Sequence, residues 1–433
     1  MKKRAFLLLL FCLFLFPYGA EGAASAPPES KVLTLQECLQ MAFDHHPDIV
    51  STAWRVRRSE SQVDLAKSSL RPTLDLGASV SDSEGASTRS GSDLSVRQLL
   101  SDGGKTRSAV AGASYESAAV KREAERTWQE RAYSVKQAFF SLLRTREDAA
   151  VAAETVSLYE TQLRQAQAFY KAGSSAKIDV TAAEVNLSQA QLELAKARSA
   201  AAVAAATLEN EIGSPLPDRS APLETPREAL LSGLSLESAT AEALQERPDV
   251  QAGEDRILSA GESLRQAAKG LSPSLYASGG WGFSDGGTGW EDDWTASLTL
   301  SVPLYDGGAT AARTESSRAD LEITRSDQEK LRNSVALEVE QAFLELETAS
   351  VQVKTATVSL RQARENLDLA RGRYRVGVGT SLEVTDAAEK AVANDPGVLE
   401  RVKIGRLSVD FALIERTRVR NDRAYKVDHA QYT

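Results

Sequence analysis

The chain carries the same succession of sequence motifs twice, and this duplication restricts the folds that it can adopt. Five motifs of the first half recur in the second half at an offset of 201 to 204 residues. The pairs are Thr34–Glu37 with Ser235–Ser238, His46–Ile49 with Arg247–Val250, Leu70–Leu74 with Leu271–Leu275, Asp102–Gly104 with Asp306–Gly308, and Tyr170–Thr181 with Tyr374–Thr385. A nearly fixed offset indicates two copies of one structural unit. We therefore predict a first copy over 23–212, a linker over 213–226, a second copy over 227–417 and a polar tail over 418–433.

Apolar residues recur every seven positions in the longest part of each copy. The two rows are Trp128, Val135, Leu142, Ala149, Val156, Leu163 and Tyr170 in the first copy, and Val339, Leu346, Val353, Leu360, Leu367 and Tyr374 in the second. An alanine-rich row lies three positions further on in both. Sustained heptads predict left-handed supercoiled helices, and small residues allow their backbones to approach closely.

The length of this repeat exceeds what an ordinary globular domain holds. A helix over 104–172 would be about 100 Å long at about 1.5 Å per residue. The seven-residue spacing continues on the way back to Leu208. Each copy is therefore predicted to contain a long antiparallel helical hairpin, over about 103–212 and about 306–417. Heptads alone are also typical of a plain coiled-coil spacer.

Four segments with alternating apolar and polar residues precede the long helices. They are predicted as strands at about 72–81, 93–101, 273–283 and 293–303. One face of each is apolar and the other small and polar, and about 9–11 residues suffice for a strand to cross a membrane. Near one end lie the residues of a predicted interfacial aromatic belt, Trp281, Phe283, Trp290 and Trp294. A sheet that packs on a soluble core is the alternative, but the sequence offers little else to cover two apolar faces.

Four strands cannot close a barrel by themselves. Unpaired strand edges are not tolerated in lipid, so closure needs further copies, and three chains would supply twelve strands. The predicted fold class is mainly α with a membrane β-barrel, internally duplicated, with long coiled-coil hairpins and four strands per chain.

The N-terminus predicts export. Residues 1–22 form the three-part pattern of a signal peptide: a basic start at Met1–Arg4, an apolar run at Ala5–Phe16, and small residues after it. Cys12 lies inside the apolar run, which argues against a lipid anchor on that cysteine. No later run approaches about 18 apolar residues, so any membrane crossing must be made by strands. The net charge of −9 argues against a nucleic-acid partner.

These motifs resemble the TolC family of outer-membrane efflux and type I secretion proteins. The resemblance is carried by Thr34–Glu37 with Pro47-Asp48, by Arg247–Val250, by Pro303–Gly308 and by Arg373–Val378. It implies a homotrimer with a twelve-stranded barrel in outer-membrane lipid and a twelve-helix tunnel in the periplasm. It also implies two partners, a periplasmic adaptor (membrane fusion) protein and an inner-membrane transporter.

The resemblance assigns roles to residues at the tips of the hairpins. It implies adaptor contacts at the first tip (Ala172, Gly173, Ser174) and at the second (Val376, Gly377, Val378). It places an acidic ring at the periplasmic entrance, formed by Glu383 and Asp386, although both could be ordinary solvated helix residues. Tyr374 and Asp179 match the family's closing contacts. Gly379 stands where the resemblance leads us to expect an arginine, so the contact is expected to be either weaker or rebuilt with Lys177.

No catalytic, cofactor or metal site is predicted. No nucleophile, base and orienting acid can be proposed together, and His46 before Pro47 is better explained as a helix cap than as a ligand. The segment Asn394–Gly397 predicts a kink or restart of the last helix. A periplasmic coiled-coil adaptor or scaffold without a membrane barrel is the alternative function.

Overall fold

A computed structural model of the chain describes residues 32–82, 89–224, 235–285 and 289–376, together with 378–379, 383–384, 386–387 and 390–391. The predicted signal peptide, the break at Asn394–Gly397, Gly377 and the polar tail lie outside these residues.

The structure consists of two copies of one helix–strand–helix unit. In the first copy the elements are α1 (Leu35–His45), α2 (Pro47–Ser68), β1 (Thr73–Ser81), β2 (Arg89–Ser101), α3 (Lys105–Lys171) and α4 (Lys177–Ile212). In the second copy they are α5 (Leu236–Glu246), α6 (Pro248–Ala268), β3 (Ser274–Asp285), β4 (Trp290–Ser301) and α7 (Ala309–Arg375). The described residues between 383 and 391 are helical and follow α7. The predicted order of elements is therefore present in the first copy and, through α7, in the second; most of the second return helix, predicted to about 417, lies outside the described residues.

Matching caps begin the short helices of the two copies. Thr34 accepts a hydrogen bond from the Glu37 N–H, and the Glu37 carboxylate accepts one from the Thr34 N–H. The next helix begins at a proline in both copies, where the missing N–H would be unpaired in any case. The ring of His46 caps α2 by accepting a hydrogen bond from the Asp48 N–H at 3.1 Å. The prediction of a capping role for His46 is confirmed.

All four strands form one antiparallel sheet in the order β1-β2-β3-β4. The strands of the two copies join at β2 and β3, so the sheet is continuous across the duplication. Leu76 lies opposite Leu94, Leu94 opposite Trp281, and Trp281 opposite Trp294. Directly opposite residues share a face, so the apolar rows of all four strands combine on one side. The outer edges of β1 and β4 have no strand partner among the described residues.

Three strand boundaries differ from the prediction. β2 begins at Arg89 rather than at about 93, β3 continues to Asp285, and β4 begins at Trp290 rather than at about 293. The apolar alternation fades there because Ser90 and Ser92 replace apolar residues, yet the backbone pairing continues through Ser81 opposite Arg89. β4 ends at Ser301, just before Pro303, which has no N–H to donate.

The principal core lies where α1 and α4 pack on the middle of α3. Its fully buried members include Cys38, Val135, Leu142, Leu208 and Ile212. Val135 and Leu142 belong to the predicted heptad row. In the second copy Val339, the counterpart of Val135, is also buried, whereas Leu346, the counterpart of Leu142, is half-buried. The linker is docked beside this core, because Leu33 pairs with Leu223 in a short parallel bridge and Arg146 donates to the Arg219 and Ala221 carbonyls.

The two copies meet along α3 and α6, a contact that we call the internal seam. It is held by polar pairs: Arg122 with Asp255 (3.1 Å) and Gln251, Glu123 with Arg256, Arg126 with Asp249 (3.6 Å), the Gly112 carbonyl with Ser259 (3.0 Å), and the Gly104 carbonyl with Lys269 (3.1 Å). α3 contacts α2 on its other side, where Ser59 and Ser117 share a hydrogen bond. α7 contacts α6 and α5, and no comparable contact joins it to α2 within the described chain.

A buried arginine completes the start of α6. The Arg247 side chain is 2% exposed and donates to Asp249 at 2.6 Å and to Glu338 of α7 at 2.8 Å. Since Asp249 also faces Arg126 of α3, this cluster connects three helices.

None of the helices described is both long enough and apolar enough to cross a membrane.

Candidate functional site: the sheet and the hairpin tips

One face of the sheet is apolar and uncovered. Its side chains are largely exposed, with Leu76 at 79%, Val80 at 76% and Leu298 at 67% of their full accessibility. Soluble proteins rarely leave a contiguous apolar patch of this kind in water. The described part of the chain has no element that covers this face, so the face needs an apolar environment outside the protomer.

The four aromatic residues of the predicted belt lie on this apolar face. Trp281 is directly opposite Trp294, and its ring centroid lies 5.1 Å from that of Phe283. Trp290 begins β4 opposite Asp285, at the loop end of the hairpin. The structure therefore brings the four together at one end of the sheet. Aromatic rings in such a position suit the boundary between lipid and water.

The opposite face is polar and carries a row of glycines and aspartates. Asp93 lies opposite Gly77 on one side and Gly282 on the other, and Asp293 lies opposite Gly282. A Cβ atom on Gly282 would stand 2.9 Å from the Asp293 Oδ1, and one on Gly77 would collide with the Asp93 carboxylate. The glycines thus leave room for the carboxylates to lie along the sheet. This arrangement gives the polar face a negative row.

A repeated elbow joins the sheet to the long helices. Asp102 accepts hydrogen bonds from the Gly104 N–H at 3.0 Å, the Thr106 N–H at 2.7 Å and the Thr106 hydroxyl. Asp306 does the same with Gly308 and Thr310. The two glycines after each aspartate have positive φ, which glycine adopts without strain. These aspartates fix the direction in which each long helix leaves the sheet.

The first hairpin tip is a tight turn. Gly173 has φ 73°, its N–H donates to the Tyr170 carbonyl, and the Ser174 N–H donates to the Phe169 carbonyl, both at 3.0 Å. This is the Schellman pattern, in which a left-handed residue ends a helix. Ala172, Gly173 and Ser174 are all exposed. The tip is therefore rigid in its backbone and accessible in its side chains.

Asp179 caps its own helix. Its carboxylate accepts a hydrogen bond from the Ala176 N–H at 3.2 Å at the start of α4. Lys177 is exposed and makes no ion pair with the residues that the structure describes. Only the backbone of Tyr374 is described. The surroundings of the side chain are thus described for Asp179 and Lys177 alone, and the closing role of the three residues stays a prediction.

Both predicted entrance acids have a basic neighbour. Glu383 lies 3.6 Å from Arg373, which belongs to the last turn of α7 on the other side of the tip. Asp386 lies 2.7 Å from Lys390, one helical turn further on. All four side chains are substantially exposed. The entrance acids are therefore partly neutralised by charges of the same chain.

The sequence patterns did not single out Arg373 and Lys390 as neighbours of the predicted entrance acids. Lys390 follows Asp386 by four positions, and the i,i+4 rule for helical ion pairs would have identified it. Arg373 meets Glu383 only because the chain turns between them, and no spacing rule contains that turn. Val376 and Val378 are exposed at the same tip. Across the described ranges, no group of three His, Cys, Asp or Glu side chains is placed to hold a metal ion.

The chain matches a known family over most of its length. The family described as "Outer membrane efflux protein" matches residues 38–214 and 239–395, one segment in each copy. Among curated proteins, the outer membrane efflux protein BepC of Brucella suis biovar 1 (strain 1330) is 29% identical over 296 residues, which cover 66% of this chain and 64% of BepC. The alignment thus spans a little less than two thirds of that relative.

Several solved structures share the fold. The outer membrane protein VceC of Vibrio cholerae superposes with a TM-score of 0.76 at 20% identity, covering 88% of this chain and 95% of VceC. The CmeC outer membrane channel of Campylobacter jejuni has a TM-score of 0.78 at 16% identity, covering 88% and 85% of the two chains. At such identities the likeness concerns the fold, and it extends over both copies of the repeated unit.

Proposed function

The chain belongs to the outer membrane efflux protein family, and from that membership we propose that three copies form a passive channel-tunnel through the outer membrane. The family predicted from the duplicated motifs is thereby confirmed. In this proposal the sheet of each chain forms one third of a twelve-stranded barrel. The long helical hairpins of each chain form one third of a periplasmic tunnel.

The uncovered apolar face of the sheet carries the proposal. A soluble sheet would bury this face on a core, whereas here Leu76, Val80 and Leu298 are exposed. A strand rises by about 3.3 Å per residue, so strands of 9 to 13 residues are long enough to cross the apolar part of a bilayer. Lipid would cover the apolar side, and the row that contains Asp93 and Asp293 would face water inside the barrel.

The open edges of the sheet argue for three copies. β1 and β4 each leave a row of backbone N–H and C=O groups unpaired in the described chain, and such groups are costly in lipid. Pairing β4 of one copy with β1 of the next satisfies both edges. Three copies give twelve strands, and the barrel then has no edge.

The hairpin tips suit an entrance that a partner opens. Their exposed residues Ala172, Gly173, Ser174, Val376 and Val378, with Gly377 between the last two, supply a surface for a periplasmic adaptor protein. An inner-membrane transporter would select and drive the cargo, while this chain supplies a conduit. Glu383 and Asp386 would form the acidic ring, with a field that Arg373 and Lys390 reduce.

Membrane fractionation with detergent extraction tests the proposal. The expressed full chain should sediment with the outer membrane, require detergent for extraction, and migrate on an unheated SDS gel as a trimer that heating converts to monomer. An adaptor without a barrel would instead follow the inner membrane or the periplasm. Recovery of a water-soluble monomer would overturn the proposal.

A further inference from the structure

We infer that α2 of one copy packs against α7 of the next copy in the register that α6 and α3 adopt at the internal seam. This inference rests on the proposed trimer and adds to it a specific contact surface. The occupant of the surface is a second copy of this chain. The argument uses the duplication, because each internal contact has a counterpart 201 residues earlier for α6 and 204 residues later for α3.

The stripe of α3 at the internal seam is covered. Gly112, Ala119 and Arg126 lie seven positions apart, and the outer two contact α6 through Ser259 and Asp249. Ala119 is 0% exposed. The buried stripe therefore shows which side of a long helix receives a short helix of the other copy.

The same stripe of α7 is bare. Its members are Ser316, Ile323 and Lys330, the counterparts of Gly112, Ala119 and Arg126, and all three are exposed. Ile323 is 59% exposed although its counterpart is completely buried. An isoleucine at that position in water is unfavourable, since burial stabilises by roughly 25 cal/mol per Å² of apolar surface. The stripe has the form of a seam whose second half is missing.

The matching surface of α2 is also bare. Val50, Trp54 and Arg55 are the counterparts of Gln251, Asp255 and Arg256, which contact α3 in the internal seam. Trp54 is 67% exposed and Val50 is 44% exposed. Two polar contacts of the internal seam are thus replaced by apolar side chains on α2. These apolar residues and Ile323 would bury one another.

The charges at the two bare surfaces are complementary in the same register. The internal pair Glu123–Arg256 becomes Asp327 with Arg55 of the next copy, and both residues are exposed and make no ion pair within the described chain. The internal pair Arg126–Asp249 becomes Lys330 with Asp48 of the next copy. Asp48 lies 3.7 Å from Arg131 in its own chain but is 56% exposed, so it can face a second cation. In both pairs the charge on each helix has the same sign as in the internal seam: acidic Asp327 of α7 meets basic Arg55 of α2, and basic Lys330 of α7 meets acidic Asp48 of α2.

The sheet gives an independent check of this register. Leu94 of β2 lies opposite Trp281 of β3, and Val96 opposite Gly279. The same offsets place Leu298 of β4 opposite Val80 of the next copy, and Leu300 opposite Ala78. These residues all belong to the apolar face, so the register keeps that face continuous from chain to chain. A slip by one residue would turn it inside out.

A charge exchange tests the surface. Arg55→Asp and Asp327→Arg should each lower the temperature at which the SDS-resistant trimer converts to monomer, by roughly 5 °C or more, because like charges then face each other. The double variant should regain most of the loss. The matched control is Glu123→Arg with Arg256→Glu in the internal seam. Because this pair lies within one chain, its single changes and their rescue should alter the stability of the protomer rather than the contact between chains.

Cross-linking reads the register directly and does not depend on stability. Cysteines at positions 55 and 327 of the full chain, treated with a short bismaleimide, should give covalent dimers and trimers, and either cysteine alone should not. Cysteines at 55 and 316 serve as the control, because position 316 lies about 16 Å further along α7.

The outcomes separate the two proposals. If the wild type is a trimer but the 55–327 pair does not cross-link and the double exchange does not restore it, the register is wrong and the channel proposal stands. If the wild type is a monomer in mild detergent, both are overturned.

Discussion

Arg247 marks a position at which the two copies differ in chemistry. It occupies the position of His46 and is buried between Asp249 and Glu338, whereas His46 only caps its helix. Removing one member of a buried ionic cluster leaves its partners uncompensated, which commonly costs about 3–5 kcal/mol.

We expect Arg247→Met to destabilise the protein by about 3 kcal/mol, at the lower end of that range because Glu338 is partly exposed. Thermal unfolding in detergent, followed by circular dichroism, measures the loss. His46→Ala is the matched control and should cost about 1 kcal/mol, as for the loss of a helix cap. Equal effects of the two changes would mean that the Arg247 cluster adds nothing beyond capping.

Acid should weaken the same cluster. Burial raises the pKa of Asp249, but the hydrogen bonds and charge of Arg247, and the charge of Arg126, lower it by more, so the pKa lies below its ordinary value. A carboxyl group with a lowered pKa stabilises the fold above its unfolded pKa of about 3.9 and loses that contribution as the pH falls further. Melting temperatures should therefore fall more steeply below about pH 4 in the wild type than in Asp249→Asn. Parallel curves would contradict this account of the cluster.

The paired charges at the entrance predict opposite effects on ion selectivity. Glu383→Gln with Asp386→Asn should reduce the cation preference of the channel, while Arg373→Gln should increase it because Glu383 loses its neutralising neighbour. Reversal potentials in planar bilayers at low salt measure both, since screening is weak there. Lys171→Gln, on the first tip, is a control for an unspecific change of charge. A shift in the same direction for acid and base variants would refute the entrance assignment.

At the scale of elements, the two faces of β4 offer a direct comparison. Leu298 lies on the apolar face and Ser297 on the polar face, and both are exposed. We expect Leu298→Arg to reduce trimer assembly, because arginine on the lipid face of a barrel costs about 2–4 kcal/mol near the bilayer midplane. Ser297→Arg should assemble nearly normally, because its side chain would face water.

The amount of SDS-resistant trimer in isolated outer membranes measures both variants. Similar assembly of the two would mean that the sheet does not separate lipid from water.

The elements were predictable because their patterns are long. The heptads indicated α3 and α7, which each extend over 67 residues, and the alternation indicated all four strands. Strand ends were less predictable, because serines at Ser90 and Ser92 interrupt the apolar row while the hydrogen bonds continue. The elbows at Asp102 and Asp306 appeared in the sequence only as a repeated Asp-Gly-Gly motif, since the role of each aspartate depends on the threonine four residues later.

At the scale of the whole molecule, the sequence indicated that one chain supplies only part of a barrel and needs further copies to close it. The described protomer agrees with this, because the apolar face of its sheet is exposed and Ile323 and Trp54 lie on exposed sides of α7 and α2. The order β1-β2-β3-β4 could not be read from the sequence with the same security, because pairing of β2 with β3 joins residues about 180 positions apart and no local pattern encodes it. The entrance sites were assigned by resemblance alone and stay predictions.

The unlike seams have a mechanical consequence. In the proposed ring, three seams lie within chains and are held by several ion pairs and hydrogen bonds. The other three lie between chains and depend on apolar packing with fewer charged pairs. Such a ring contains six similar groups of helices, two from each chain, but only the three contacts between chains separate easily. A radial force applied at the hairpin tips would therefore move the two helix groups of each chain together. The pore would widen by separation at the three contacts between chains, with threefold rather than sixfold symmetry.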